Sequence, residues 1–193
     1  MFKPALAIFA VCLLPASWAC AGSPFKPQAA GESAQVSVDG YFSCEAPKKW
    51  KLERKKDQRR MGVFKIELIS PYQEKTPTTI YMSYFAADNK YFKDAADYIE
   101  SNSQDEMAAP GDVYGPVKAV VVAGRKGSAF DREEKRFLRP DSKSGESARV
   151  KEKFYVLPAK AGFYVMHFSA VKEAFARHLP VFEKAAASFS GRP

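Results

Sequence analysis

Residues 48–60 place eight basic side chains and two acidic ones in thirteen positions. The basic residues are Lys48, Lys49, Lys51, Arg54, Lys55, Lys56, Arg59 and Arg60; Glu53 and Asp57 oppose them. A cluster of this density attracts anionic partners at long range, and salt weakens the attraction. In an exported chain the candidate partners are an acidic envelope protein, anionic lipid headgroups or envelope polysaccharide, and not nucleic acid. Trp50 sits inside the run. It reads either as a core residue fixed by the preceding Pro47 or as an aromatic contact for the partner. The eight basic residues and Trp50 form the candidate partner-binding set. The competing reading of the strip is a solvated face that aids solubility.

Other chemistry finds little support. His167 and His178 are the two histidines, eleven positions apart. That is not a helical zinc spacing, and no cysteine pair accompanies them, so no metal site and no cofactor is expected. No Gly-x-Ser-x-Gly elbow occurs. Gly124-Arg125-Lys126-Gly127-Ser128 lacks the order of a phosphate-binding loop. Three cysteines in 193 residues exclude a disulfide-stapled scaffold. Cys44 reads as a buried apolar residue on a strand.

The elements that carry these residues follow an address. Lys3, an apolar run at 5–14 and the small residues after Pro15 form a secretory signal pattern over residues 1–21. The run is too short to span a bilayer, and no later stretch is long enough, so no integral membrane span is expected. Ala19-Cys20-Ala21 allows ordinary cleavage; cleavage before Cys20 would instead leave it as a lipidated first residue. Residues 22–37 read as a flexible leader.

Alternating apolar residues predict strands at 41–44, 50–55, 63–69, 78–85, 117–123, 124–132, 151–157 and 162–170. In 63–69, Phe64, Ile66 and Leu68 share a face, opposite Lys65 and Glu67. The last strand is apolar on both faces and should lie centrally, covered on both sides. A helix is expected from about 90 to 107, capped by Asp88-Asn89. A second should begin near Pro180, after a short helical turn. The charged segment 131–153 reads as a mobile loop with short strand extensions. The result is an α+β fold, an α/β/α sandwich whose largely antiparallel sheet carries helices on its faces.

Three stretches carry a resemblance. The opening Gly40-Tyr41-Phe42-Ser43-Cys44-Glu45-Ala46-Pro47-Lys48-Lys49-Trp50 resembles the aromatic strand, Pro and Trp that open PsbP-like proteins. The run Tyr91 through Ile99 is similar to their helix. Phe163 to Ser169, followed by Phe175, Pro180, Phe182 and Ser188-Phe189, is similar to their closing strand and helix. The resemblance places a single PsbP-like domain at 38–190. It implies a sandwich used for binding, assembly or stabilisation, generally without enzymatic activity. The family includes extrinsic photosystem II subunits, a Ran-binding nuclear transport factor and bacterial exported proteins or lipoproteins. Some bacterial relatives chaperone apolar segments of secreted effectors.

The expected function is therefore a non-enzymatic exported binding, assembly or stabilising factor of the bacterial envelope, in the periplasm or anchored through Cys20. It would engage an anionic partner through the basic strip. The alternatives are a periplasmic chaperone for apolar segments, which needs an exposed apolar groove, and a hydrolase, which needs a pocket joining His167 or an acid to a nucleophile.

Overall fold

The computed structural model describes residues 32–38, 40–54, 57–139 and 145–192. The signal segment, Cys20, and Lys55 and Lys56 of the basic strip lie outside the described residues. Eleven strands and two helices follow one another in these stretches. A small sheet holds β1 (Ser33–Val38), β2 (Phe42–Pro47) and β11 (Ser190–Gly191). The large sheet is built from β3 (Lys51–Arg54), β4 (Val63–Ile69), β5 (Thr79–Ala86), β6 (Val113–Tyr114), β7 (Lys118–Val122), β8 (Arg125–Phe137), β9 (Ser147–Ala159) and β10 (Gly162–Val171). Its order is β3-β4-β5-β10-β9-β8-β6, with β7 also pairing to β8, and every pair described is antiparallel.

The alternation read from the sequence sets which side each residue takes. Ile66, Leu68, Ile80, Met82, Tyr84, Tyr164, Met166 and Phe168 share one core with Phe175, Phe182 and Phe189. Helix α2 (Lys172–Ala187) and the small sheet supply the other half of that core. Phe182 stacks between Tyr155 at 5.3 Å and Phe168 at 5.4 Å. Truncating such a residue to Ala costs about 3–5 kcal/mol, since transfer and cavity terms add. On the opposite face, Val63, Phe85, Phe130, Phe154, Val156, Phe163 and Val165 pack with Tyr98 of helix α1 (Ala95–Ser103). β10 lies mid-sheet and is buried on both faces, as its sequence requires.

Turn chemistry fixes the hairpins. Ala123 and Gly124 both have positive φ, 49° and 76°, which matches the tight connection between β7 and β8. Gly162 opens β10 at φ 136°, where an added Cβ would lie 2.0 Å from the Phe85 carbonyl oxygen. No side chain fits there.

Four expectations change. Ser33–Val38 is strand β1, so the folded region begins before 38 and the leader cannot extend to 37. Helix α1 starts at Ala95, not near 90. Asp94 is its cap, accepting from the Ala96 and Asp97 amides at 2.9 Å each. Asn89 instead organises a turn, accepting from the Tyr91 and Phe92 amides at 3.0 and 2.9 Å. Helix α2 is continuous across Pro180 rather than starting there. The charged segment 131–153 is mostly strand, because its charges complement one another across the β8–β9 ladder. Asp131 faces Lys153, Arg132 faces Glu152, and Glu133 faces Lys151.

Candidate functional site

The basic strip occupies the outer edge strand and its flanks. The amide of Trp50 donates to the Pro47 carbonyl at 3.0 Å, closing a turn that points Lys48 and Lys49 outward and folds the indole in. Trp50 is only 6 % exposed and belongs to the main core, edge-on to His178 at 6.0 Å. It offers no contact surface to a partner, and that half of the expectation is corrected. Lys51 and Arg54 are exposed on β3, and Arg59 and Arg60 are exposed in the 3-10 turn Asp57–Met61. Lys48 pairs with Glu32 at 2.9 Å, Lys51 with Glu53 at 2.7 Å, and Arg54 donates to the Ser37 carbonyl at 3.4 Å. Among the described residues, Lys49, Arg59 and Arg60 have no acidic partner.

A second constellation lies on the α1 face of the sheet. One register row runs Glu67, Tyr81, His167, Phe154, Phe130 across β4, β5, β10, β9 and β8. Its rings stack in series: Tyr81 on His167 at 5.1 Å, His167 on Phe154 at 4.2 Å, and Phe154 on Phe130 at 4.6 Å. The Lys65 ammonium lies 3.9 Å from the Tyr81 ring centre, and the Arg132 guanidinium 5.1 Å from that of Phe154. Glu152, 1 % exposed, accepts from His167 Nε2 at 2.9 Å, Arg132 Nε at 2.5 Å and Arg136 at 3.2 Å.

Burial alone would raise the Glu152 carboxyl. The His167 hydrogen bond and the Arg132 and Arg136 charges outweigh it and hold the group well below the usual carboxylate range. For His167 burial prevails over the Glu152 contact, and the Arg132 and Lys65 charges add to it, so its pKa is lowered. Its Nε2 is the ring nitrogen that faces the carboxylate. A cavity of about 210 Å³ opens beside it, between the sheet and the segment leading into α1. Lys65, Tyr81, Ser83, His167, Tyr91 and Tyr98 contribute to its wall.

A carboxylate-held imidazole beside a serine invites comparison with a hydrolytic triad. Here Ser83 pairs in register with Val165, not His167, and among the described residues no hydrogen bond joins it to the ring. Sequence reading took His167 as structural and passed over Glu152, Arg132, Arg136, Tyr81 and Lys65. The usable signal was parity: Glu152 falls in step with Val150, Phe154 and Val156 on the buried face of its strand, and Arg132 in step with Phe130 on the neighbouring one.

His178 is fully buried and donates or accepts through Nε2 to Glu74 at 3.0 Å, while Thr78 donates to the other oxygen of that carboxylate. Its Nδ1 and the Trp50 Nε1 are buried without hydrogen-bond partners. This cluster ties α2 to the β4–β5 connection. Cys44 is buried on β2, where burial and then the Glu45 charge push its thiol up to about 12. Among the described residues, no group of three or more His, Cys, Asp or Glu is placed to hold a metal, and no helix is long and apolar enough to cross a membrane.

No family model matches the chain, and no curated protein matches it. Solved structures do. A protein from Bacteroides thetaiotaomicron VPI-5482 is similar at TM-score 0.52 and 12% identity, over 86% of this chain and 50% of that one. The chain thus spans half of that protein's length. LpqN of Mycobacterium tuberculosis, described as involved in cell envelope biogenesis, is similar at TM-score 0.49 and 16% identity, over 84% and 91%. Cyanobacterial PsbP from Synechocystis sp. PCC 6803 is similar at TM-score 0.48 and 13% identity, over 89% and 98%. At these identities the likeness is one of fold alone, and the chain's own architecture, an antiparallel sheet with helices on its faces, is α+β.

Proposed function

We propose that the chain is a non-enzymatic, exported binding or assembly factor of the cell envelope that engages an anionic partner through the outer edge of its large sheet. The observation that supports this reading is the exposure of Lys48, Lys49, Lys51, Arg54, Arg59 and Arg60 along one sheet edge and its flanks. Lys55 and Lys56 continue the strip in sequence. A surface of one sign raises the encounter rate with an oppositely charged partner and makes binding fall steeply with salt. Export rests on the signal pattern at 1–21, and anchoring through Cys20 on the lipidation alternative.

The test is charge reversal of Lys49, Lys51, Arg59 and Arg60 together. Binding to anionic phosphatidylglycerol vesicles, to a sulfated polysaccharide column and to envelope-protein extract is measured at low and high salt. The strip predicts salt-sensitive binding to one of these that the variant loses while its circular dichroism melt is unchanged. Binding that survives the reversal would reduce the strip to solvation.

The runner-up, a chaperone for apolar segments, draws on the far side of the sheet. There Val113 on β6, Val117 just before β7 and Val121 on β7 are exposed. It predicts capture of apolar peptides indifferent to salt.

A further inference from the structure

Two exposed tyrosines bracket the basic edge. Lys51 pairs with Ile69 at the start of β3, and three residues beyond Ile69 stands Tyr72, 46 % exposed, its ring 5.5 Å from that of His178. At the other end Arg54 pairs with Ile66, and the chain returns to β4 through the 3-10 turn that carries Arg59 and Arg60. The Met61 carbonyl of that turn accepts from the Lys90 amide at 3.0 Å, which sets Tyr91, 51 % exposed, beside it. The seven residues of β4 hold these two ends roughly 20 Å apart, at about 3.3 Å per residue. Lys75 and Lys90 are exposed in the same two connections. Among the described residues Lys49, Arg59, Arg60, Lys75 and Lys90 have no carboxylate partner, and neither the Tyr72 nor the Tyr91 hydroxyl has a hydrogen-bond partner. Nearby acids are taken: Glu53 by Lys51 at 2.7 Å and Glu74 by His178 at 3.0 Å. Asp88 is exposed, and Arg59, Arg60 and Lys90 outnumber it at its end.

We propose that this edge docks on an anionic lipid surface, with Tyr72 and Tyr91 seated among the headgroups at its two ends. The proposal rests on the basic-strip reading and narrows its partner to lipid. Three features favour lipid over an acidic protein. A tyrosine has an apolar ring and a polar tip, which suits it to the boundary between water and hydrocarbon. A protein joins a sheet edge by adding a strand, and the exposed Lys51 and Arg54 on β3 oppose that. The unpaired cations come from three separate connections on long, flexible stems. Such stems follow mobile headgroups, whereas a fixed protein surface demands one register.

Co-sedimentation of the purified chain with phosphatidylcholine vesicles, with and without phosphatidylglycerol, tests this. Binding should require phosphatidylglycerol and weaken between about 0.1 M and about 1 M salt, as the screening length falls from ~10 Å to ~3 Å. Arg59→Gln combined with Arg60→Gln should weaken it about 25-fold, roughly fivefold for each cation near a charged surface. Tyr72→Ser combined with Tyr91→Ser should weaken binding and leave its salt dependence as it was. Tyr72 also packs on His178, so Tyr72→Trp and Tyr91→Trp serve as a second measurement. Each should retain binding, and each should shift its emission to the blue on the vesicles beyond any shift of the parent chain. The N-terminal segment is common to all these variants, so the differences between them report on the edge. An absent shift at both positions would overturn the proposal. So would a failure to bind phosphatidylglycerol vesicles while salt-sensitive binding to a sulfated polysaccharide or to envelope protein persists; that outcome leaves the basic-strip reading standing. Salt-sensitive binding to none of the three would overturn both.

Discussion

Glu152 keeps its charge at 1 % exposure because two guanidinium groups and an imidazole surround it. The pair it forms with His167 makes stability depend on pH in a definite direction. Folding lowers the His167 pKa below its ordinary value of about 6.5, so the unfolded chain binds the proton more readily. The stability is full above that value and declines as pH falls through it. Burial, Lys65 and Arg132 drive the shift, and Glu152 opposes it. The Glu152 contribution is present above the ordinary carboxylate value and is lost only as pH falls towards its lowered one. Melting temperature should therefore drop between pH 7.5 and 5.5, and less steeply in His167→Gln; equal slopes would remove His167 as the source. Glu152→Gln should destabilise at neutral pH by about 2–4 kcal/mol, by leaving Arg132 partly buried beside a neutral group. None of this pair was legible in advance. His167 was set aside because its spacing to His178 suits no zinc site, and its partner lies fifteen residues away, where the strand expected at 151–157 meets the charged segment.

At the scale of elements, what was legible followed backbone periodicity, and what was not followed competing local signals. Phe64, Ile66 and Leu68 alternate cleanly, and β4 formed as expected. The double-sided apolar pattern of β10 foretold its central place. Asn89 and Asp94 are both good caps; only the second has a helix to cap, because the first spends its oxygen on the turn at Tyr91 and Phe92. The β8–β9 extension was hidden by hydrophilic composition. Its signal was charge complementarity at fixed register, which needs the pairing to be known first. Pro180 was read as a start because that is where proline is favoured, yet it sits exposed within α2, where it lacks the amide proton the helix would use. Tertiary packing of Phe175, Val181 and Phe182 holds the helix through it. Pro180→Ala should restore that hydrogen bond and raise stability by at least about 1 kcal/mol, read as a higher denaturation midpoint. A lower midpoint would mean that the ring itself supports the packing.

The whole molecule presents two outer sheet edges of opposite character. On one side β3 carries Lys51 and Arg54, side chains that discourage strand addition as well as attracting anions. On the other, β7 reads Lys-Ala-Val-Val-Val, with Val121 65 % exposed, and among the described residues nothing pairs with its outer side. A short, β-branched edge of low charge is where strands of two molecules would join. Net charge of +8 repels copies at a distance, but salt screens that repulsion within about 10 Å at 0.1 M. Self-association should therefore grow with salt and run through β7, the reverse of the salt dependence expected for partner binding at β3. Val121 faces Lys126 across the ladder, so Val121→Glu adds a charge with an opposite partner and should leave the melt nearly unchanged. Light scattering on slow heating in 0.5 M salt, roughly where screening is nearly complete, should show a later onset for Val121→Glu than for the parent chain. If onset instead responds to Lys51→Val at β3 and not to Val121→Glu, the vulnerable edge is the basic one, and its charges serve to guard the sheet before they serve any partner.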